Sequence, residues 1–230
     1  MCLSNFFRSQ FGSPSGLVGS LFVAPFLNVT NMSIIRASVD LLEPKPDDRV
    51  LDIGFGGGYS LFSLAERVPK GRVVGVDHSR DMVDAAATLI RKRKLQARIR
   101  VRKGNVVELP FAANTFDRVL TVNTIYYWLD LRAAFREIAK VLRPGGRLAV
   151  GFRSPESLRL ITQAWENFRL YEPQEVAEAM RKAGFRVLPL AQPNLWRMPD
   201  DLVLIGESKK RSPRHQSRKK VEAAGAFSRR

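Results

Sequence analysis

The sequence predicts an α/β fold: a doubly wound, mostly parallel seven-stranded sheet with an antiparallel hairpin at one edge. Three observations carry this. Strand-like and helix-like segments alternate from residue 44 onward, the order that a parallel sheet wrapped by crossover helices requires. Close-set glycines follow the first strand, in Val50-Leu51-Asp52-Ile53-Gly54-Phe55-Gly56-Gly57-Gly58. A carboxylate, Asp77, ends the second strand 23 residues after Gly54.

The elements follow in order. Residues 16–43 read as one or two helices stopped by Pro44 and Pro46, because proline removes a donor and restricts its predecessor. Arg49–Ile53 is a short buried strand, and Tyr59–Arg67 has helical apolar spacing through Leu61, Leu64 and Ala65. Arg72–Asp77 is the second strand and Arg80–Arg93 its crossover helix; strands are expected at Ala97–Arg102 and Phe116–Val122. A helix at Leu131–Leu142 is stopped by Pro144-Gly145-Gly146, followed by a fifth strand at Arg147–Phe152. Helices near Glu156–Phe168 and from Pro173 to Ala183 come next, then strands Phe185–Leu190 and Leu202–Gly206 that pair as the edge hairpin. The expected divisions are an N-terminal helical cap at 1–43, a nucleotide-binding domain at 44–206 and a basic disordered tail at 207–230.

Composition narrows the function. A chain of 230 residues with 45% hydrophobic and 26% charged residues buries one substantial core. One cysteine, Cys2, excludes an internal disulfide framework, and two histidines, His78 and His215, form no metal-ligand grouping, so no metal is expected. The net charge of +16 favours anionic partners, and residues 207–230 concentrate it with nine basic against two acidic residues. That tail is expected to make nonspecific contact with nucleic acid or an anionic membrane surface. The apolar stretch Leu17–Val29 is broken by Ser20, Pro25 and Asn28 and falls short of the roughly 20 residues a bilayer span needs. A helix over the core suits it better than a signal peptide, and the cytoplasm is the expected location, with peripheral membrane contact open to the tail.

The glycine cluster carries the chemistry. A strand delivers the chain to a turn where glycines permit positive φ and close backbone approach, and the next helix presents free amides beside it. Asp77 is placed to accept two hydrogen bonds from vicinal ribose hydroxyls. A dinucleotide oxidoreductase would want a glycine at position 59, which is Tyr59, and gains nothing from the acidic Asp52. A cationic ligand such as S-adenosylmethionine, with an ammonium and a sulfonium, does gain from that carboxylate.

VLDIGFGGG, GVDHS, GNVVELPFAANTFDRV and LRPGGRLAV together resemble the successive motifs of small-molecule class I S-adenosylmethionine-dependent methyltransferases, in particular the group that contains the quinone C-methyltransferases. The resemblance spans roughly residues 44–152. It implies the Rossmann-like methyltransferase fold, S-adenosylmethionine as cofactor and a small methyl acceptor. It implies that Gly54, Phe55, Gly56 and Gly58 line the methionine and ribose portion with Asp52 near the ammonium. It further implies that Asp77 holds the ribose, that His78, Asn105 and Val106 border the adenine, and that Asn123 faces the transferable methyl. Asn105 replaces the family's usual aspartate; its amide oxygen can still accept the adenine amino group, without the charge.

Methyl transfer is an in-line displacement in which alignment and desolvation can supply much of the rate, so no obligatory nucleophile is required. Tyr126, Tyr127 and His78 are the reachable groups if a proton must leave. The run Tyr126-Tyr127-Trp128 either faces the acceptor or packs the start of the next helix. Trp165, Phe168 and Trp196 could roof a pocket for an apolar or aromatic acceptor or belong to the core, and Arg153 could meet an acidic group on it. An RNA-directed methyltransferase, a nicotinamide-dependent oxidoreductase and a non-catalytic relative of the fold are the alternatives.

Overall fold

The computed structural model describes residues 24–162, 168–193 and 201–209. Trp165, Trp196, His215, Cys2, most of the Leu17–Val29 stretch and all but the first residues of the basic tail lie outside them. The elements are α1 (Ala24–Leu42), β1 (Arg49–Ile53), α2 (Tyr59–Arg67), β2 (Arg72–Asp77), α3 (Arg80–Lys92), β3 (Ile99–Lys103), β4 (Phe116–Val122), α4 (Leu131–Val141), β5 (Leu142–Arg153), α5 (Pro155–Thr162), α6 (Pro173–Lys182), β6 (Phe185–Val187) and β7 (Asp201–Ser208). The seven strands form one sheet in the order β3-β2-β1-β4-β5-β7-β6. β1 to β5 run parallel to one another, and β7 runs antiparallel between β5 and β6.

Alternation along the central strands builds a core on each face, as the two-residue strand period demands. Val50, Leu120 and Ala149 join α1, α2 and α3 through Val39, Leu64 and Met82. Leu51, Val119 and Val150 join α4 and α6 through Phe135, Ile138 and Met180. Local chemistry sets the helix starts. Ser79 accepts from the Met82 amide ahead of α3, and Asp130 Oδ1 accepts from the Arg132 and Ala133 amides ahead of α4. Glu172 and Glu175 form a capping box on α6, and Gly184 at φ 99° lets the chain leave it.

Several boundaries differ from the sequence expectation. Pro144-Gly145-Gly146 does not separate α4 from the fifth strand: Leu142 is already extended and pairs with Phe116, so the helix ends before the proline is reached. The proline and glycines form an irregularity inside β5, where the register jumps between Phe116 and Arg118. The bulge wraps Asp117, whose carboxylate accepts from the Arg49 amide at 2.8 Å and from Arg143 Nη1 at 2.6 Å. β3 starts at Ile99 rather than Ala97, and β6 is only three residues long, although Leu188 still donates to Ile205 O at 2.9 Å. Phe168 is not helical. Among the described residues, no helix is long and apolar enough to cross a membrane.

Candidate functional site

At the carboxyl end of β1, beside those of β2 and β4, the chain makes a strongly left-handed cluster. Gly54, Gly56 and Gly58 have φ of 71°, 50° and 82°, values that side chains with a Cβ adopt at a cost. Steric need adds to this at Gly54, where a methyl would overlap Thr124 Cγ2. The Gly54 amide donates to Val76 O at 2.7 Å, fastening the loop to the end of β2. Gly58 then leads directly into α2.

Asp77 organises the loop. Its Oδ2 accepts from the Gly56 amide at 2.8 Å and its Oδ1 from the Ser79 amide at 2.9 Å. Each carboxylate oxygen keeps a lone pair for a ligand hydroxyl. Burial raises the pKa of Asp77, and the amides of Ser79 and Gly56 oppose the rise. His78 beside it is exposed.

Asp52 is the most constrained group in the site. It is 2% exposed, and its Oδ2 has no hydrogen-bond partner among the described residues. Burial drives its pKa from 3.8 to about 7, the Ser60 hydroxyl pulls the other way, and the nearby Asp77 adds to the rise. A buried carboxylate with an unsatisfied oxygen favours a cationic donor beside it. The ammonium of S-adenosylmethionine fits that requirement, and the phosphates of a dinucleotide do not.

The other expected residues divide. Phe55 turns its ring into the core at 5% exposure, where it fills the space over Gly75 so closely that a Cβ there would lie 2.6 Å from the ring. What Phe55 offers a ligand is therefore backbone. Asn105 is exposed and closes its own turn, accepting from the Val107 amide through Oδ1 at 3.2 Å, while Val106 is buried at 8%. Replacing Asn105 by Asp is expected to preserve both the turn and cofactor affinity, and Leu to weaken both. Isothermal titration of the three proteins checks this; equal affinities would remove residue 105 from the adenine edge.

Asn123 follows β4 in the left-handed region, with φ 54°, and anchors a network reaching three elements. Its Nδ2 donates to Asn31 Oδ1 of α1 at 3.0 Å, and its Oδ1 accepts from the Tyr126 hydroxyl at 3.1 Å. The same hydroxyl accepts from the Arg153 amide at 2.6 Å, and Arg153 Nε lies 3.4 Å from the fully buried Asp201. Tyr126 is thus a structural hydrogen-bonding group, and burial raises its pKa so far that it is no base near neutral pH. Arg153 is committed to this network. Trp128 is core, at 6% exposure and edge-on to Phe135 at 5.5 Å. Tyr127 is the exposed member of the run, at 40%, edge-on to Phe168 at 5.1 Å. Asn31, Ser60 and Thr124 complete the site without a sequence signal, since nothing in their local pattern marks them.

Residues 50–146 match a family model described as a methyltransferase domain. Over 113 residues the chain is 38% identical to erythromycin 3''-O-methyltransferase of Saccharopolyspora erythraea, covering 49% of this chain and 37% of that protein. It is 39% identical over 128 residues to nocamycin O-methyltransferase of Saccharothrix syringae, covering 55% and 45%. The chain spans less than half the length of these two curated relatives. Among solved structures, geranyl diphosphate C-methyltransferase from Streptomyces coelicolor A3(2), in complex with Mg2+, geranyl diphosphate and S-adenosyl-L-homocysteine, superposes with a TM-score of 0.67. That likeness covers 87% of each chain at 18% identity.

Proposed function

We propose that this chain is a class I S-adenosylmethionine-dependent methyltransferase that transfers a methyl group to a small apolar or aromatic molecule. The observation that carries the proposal is Asp52, a buried carboxylate with an open oxygen at the foot of a left-handed glycine loop. When bound, the cofactor supplies a methyl on a sulfonium, an electrophile that needs a nucleophile aligned behind it.

The protein's own part is placement. Asp52 meets the ammonium, Asp77 meets the ribose hydroxyls while holding Gly56 and Ser79, and the glycines let the backbone close over the ligand. The acceptor lies beyond the carboxyl ends of β4 and β5, where Tyr127 and Phe168 present aromatic surface; the Tyr126 ring stacks beneath Phe168 at 4.7 Å. The relatives named as erythromycin 3''-O-methyltransferase and nocamycin O-methyltransferase support a small-molecule acceptor. Because Tyr126 is buried and engaged, an acceptor that needs deprotonation uses either its own acidity or an exposed group such as His78. Residues 1–43 serve as a cap, 44–206 as the catalytic domain and 207–230 as a basic appendage. The expected setting is the cytoplasm.

A methyl-labelled donor incubated with the protein and a cell extract, then fractionated into small molecules, RNA and protein, tests the reading. Label should enter the small-molecule fraction. Label confined to RNA or protein would overturn the acceptor class while leaving cofactor binding intact. Tyr127→Ala should raise KM for the acceptor several-fold with little change in donor affinity, as removal of aromatic contact surface implies. An unchanged KM would move the acceptor elsewhere.

A further inference from the structure

The link from β3 to β4, residues 104–115, contains no helix, and α4 and α6 pack on the other half of the sheet. Leu51, Ile53 and Val76 are buried beneath Val106 and Leu109 of this link, but the same face is left open at the amino ends of β1 and β2 and along β3, where a shallow groove of about 500 Å³ lies. In-register pairing puts Arg49 beside Arg72, Val74 beside Arg100 and Val76 beside Arg102, so four arginines share that face in a diagonal band. Ile99 and Val101 point the opposite way, into the core under α3. Phe111 closes one side of the groove, with the Arg102 guanidinium 5.7 Å from its ring centre and Arg102 Nη1 donating to Pro110 O at 3.5 Å.

Among the described residues, no carboxylate lies within ion-pairing distance of Arg49, Arg72, Arg100 or Arg102. The charge continues past the groove. Residues 91–103, the end of α3 and all of β3, hold eight basic and no acidic residues, equal to half the chain's net charge of +16. Charged side chains on an edge strand guard it against aggregation, but here the basic run also extends back through the end of α3. Like charges gathered this densely repel one another unless an anion joins them.

We propose that this groove and the β3 edge bind the phosphate backbone of a single-stranded nucleic acid. Guanidinium forks match phosphate oxygens in pairs. The Val74 and Phe111 floor supplies apolar surface for bases, and a basic belt longer than the groove suits a chain of phosphates better than one small anion. Arg49 and Arg72 stand at the amino ends of β1 and β2, the ends opposite the glycine loop, and the band runs from there to Arg102, which pairs with Val76 one residue before Asp77. This surface is independent of the identity of the methyl acceptor.

Fluorescence anisotropy of a labelled single-stranded RNA of about 15 nucleotides, titrated with the full chain at several salt concentrations, tests the proposal. The triple variant Arg72→Gln/Arg100→Gln/Arg102→Gln is compared with Lys209→Gln/Lys210→Gln/Arg211→Gln, which loses the same charge in the tail. Circular dichroism verifies folding, and Arg100→Gln/Arg102→Gln stands in if the triple groove variant does not fold. The groove variant should bind at least about tenfold more weakly than the tail variant, and its log–log salt slope should fall by about 2. Equal losses in the two variants overturn the proposal, as does an absence of binding by the unmodified chain. Displacement of the RNA by tripolyphosphate at equal molar concentration assigns the groove to small phosphate compounds instead. Displacement by polyglutamate of matched charge assigns it to an acidic protein.

Discussion

Replacing Asp52 by Asn is expected to flatten the pH dependence of cofactor binding and to stabilise the ligand-free protein above neutrality. Burial holds the Asp52 carboxyl at about 7, against 3.8 for a free one. In the proposed complex the ammonium of the donor stabilises the ionised form. Below pH 7 the free protein must therefore release a proton to bind, and affinity should fall by up to about tenfold per pH unit.

The stability effect has the opposite dependence. The folded pKa is raised, so between about 4 and 7 the native state holds more protons than the unfolded chain, and stability declines as pH rises through that window. A shift of this size costs on the order of 4 kcal/mol once the carboxylate is fully ionised. Asn avoids that cost but carries an amide that must be satisfied, so roughly 2–3 kcal/mol of net gain is expected near pH 8 and none near pH 4. Calorimetry of cofactor binding from about pH 5.5 to 8, with thermal melts over about pH 4 to 8, measures both effects. A wild-type affinity that stays flat across the range would separate Asp52 from the bound donor.

Asp77→Ala is expected to cost about 1.5–3 kcal/mol of cofactor affinity, ten- to a hundred-fold, through the lost charge-assisted bonds to ribose. The same change removes the acceptors of the Gly56 and Ser79 amides, so the loop should loosen. Hydrogen exchange at those two amides should accelerate in the ligand-free protein. Asp77→Asn keeps one acceptor oxygen and should fall between the two in both measurements. Faster exchange with unchanged affinity would reduce Asp77 to a clamp on the loop.

Both effects concern residues that the sequence marks by spacing alone. β1, the glycines, α2, β2 and Asp77 are legible because each is dictated over a few neighbouring residues: a buried strand, a turn needing positive φ, a helix start, a strand-end carboxylate. The paired edge strands are legible for the same reason, since Gly184 and the apolar run at 202–206 punctuate the chain locally. Where local rules compete, the reading shifts. Pro144-Gly145-Gly146 has the composition of a helix stop, yet strand pairing to Phe116 and the carboxylate of Asp117 draw it into β5. Phe55 sits inside the glycine motif, yet the space over Gly75 takes its ring into the core.

What the sequence by itself determined is the α/β architecture, the glycine loop and its two carboxylates, because their physics is local and periodic. Only the tertiary structure decided what those groups experience. That Asp52 is sealed from water with one oxygen open depends on packing from β1, α2 and the neighbouring Asp77. That Tyr126 is locked by Asn123 and Arg153, while Tyr127 stays exposed, depends on where β4, β5 and α1 meet. That four arginines scattered over residues 49–102 gather on one face depends on the register of three parallel strands. Burial, desolvation and convergence arise from residues far apart in the chain, and no window of sequence contains both partners.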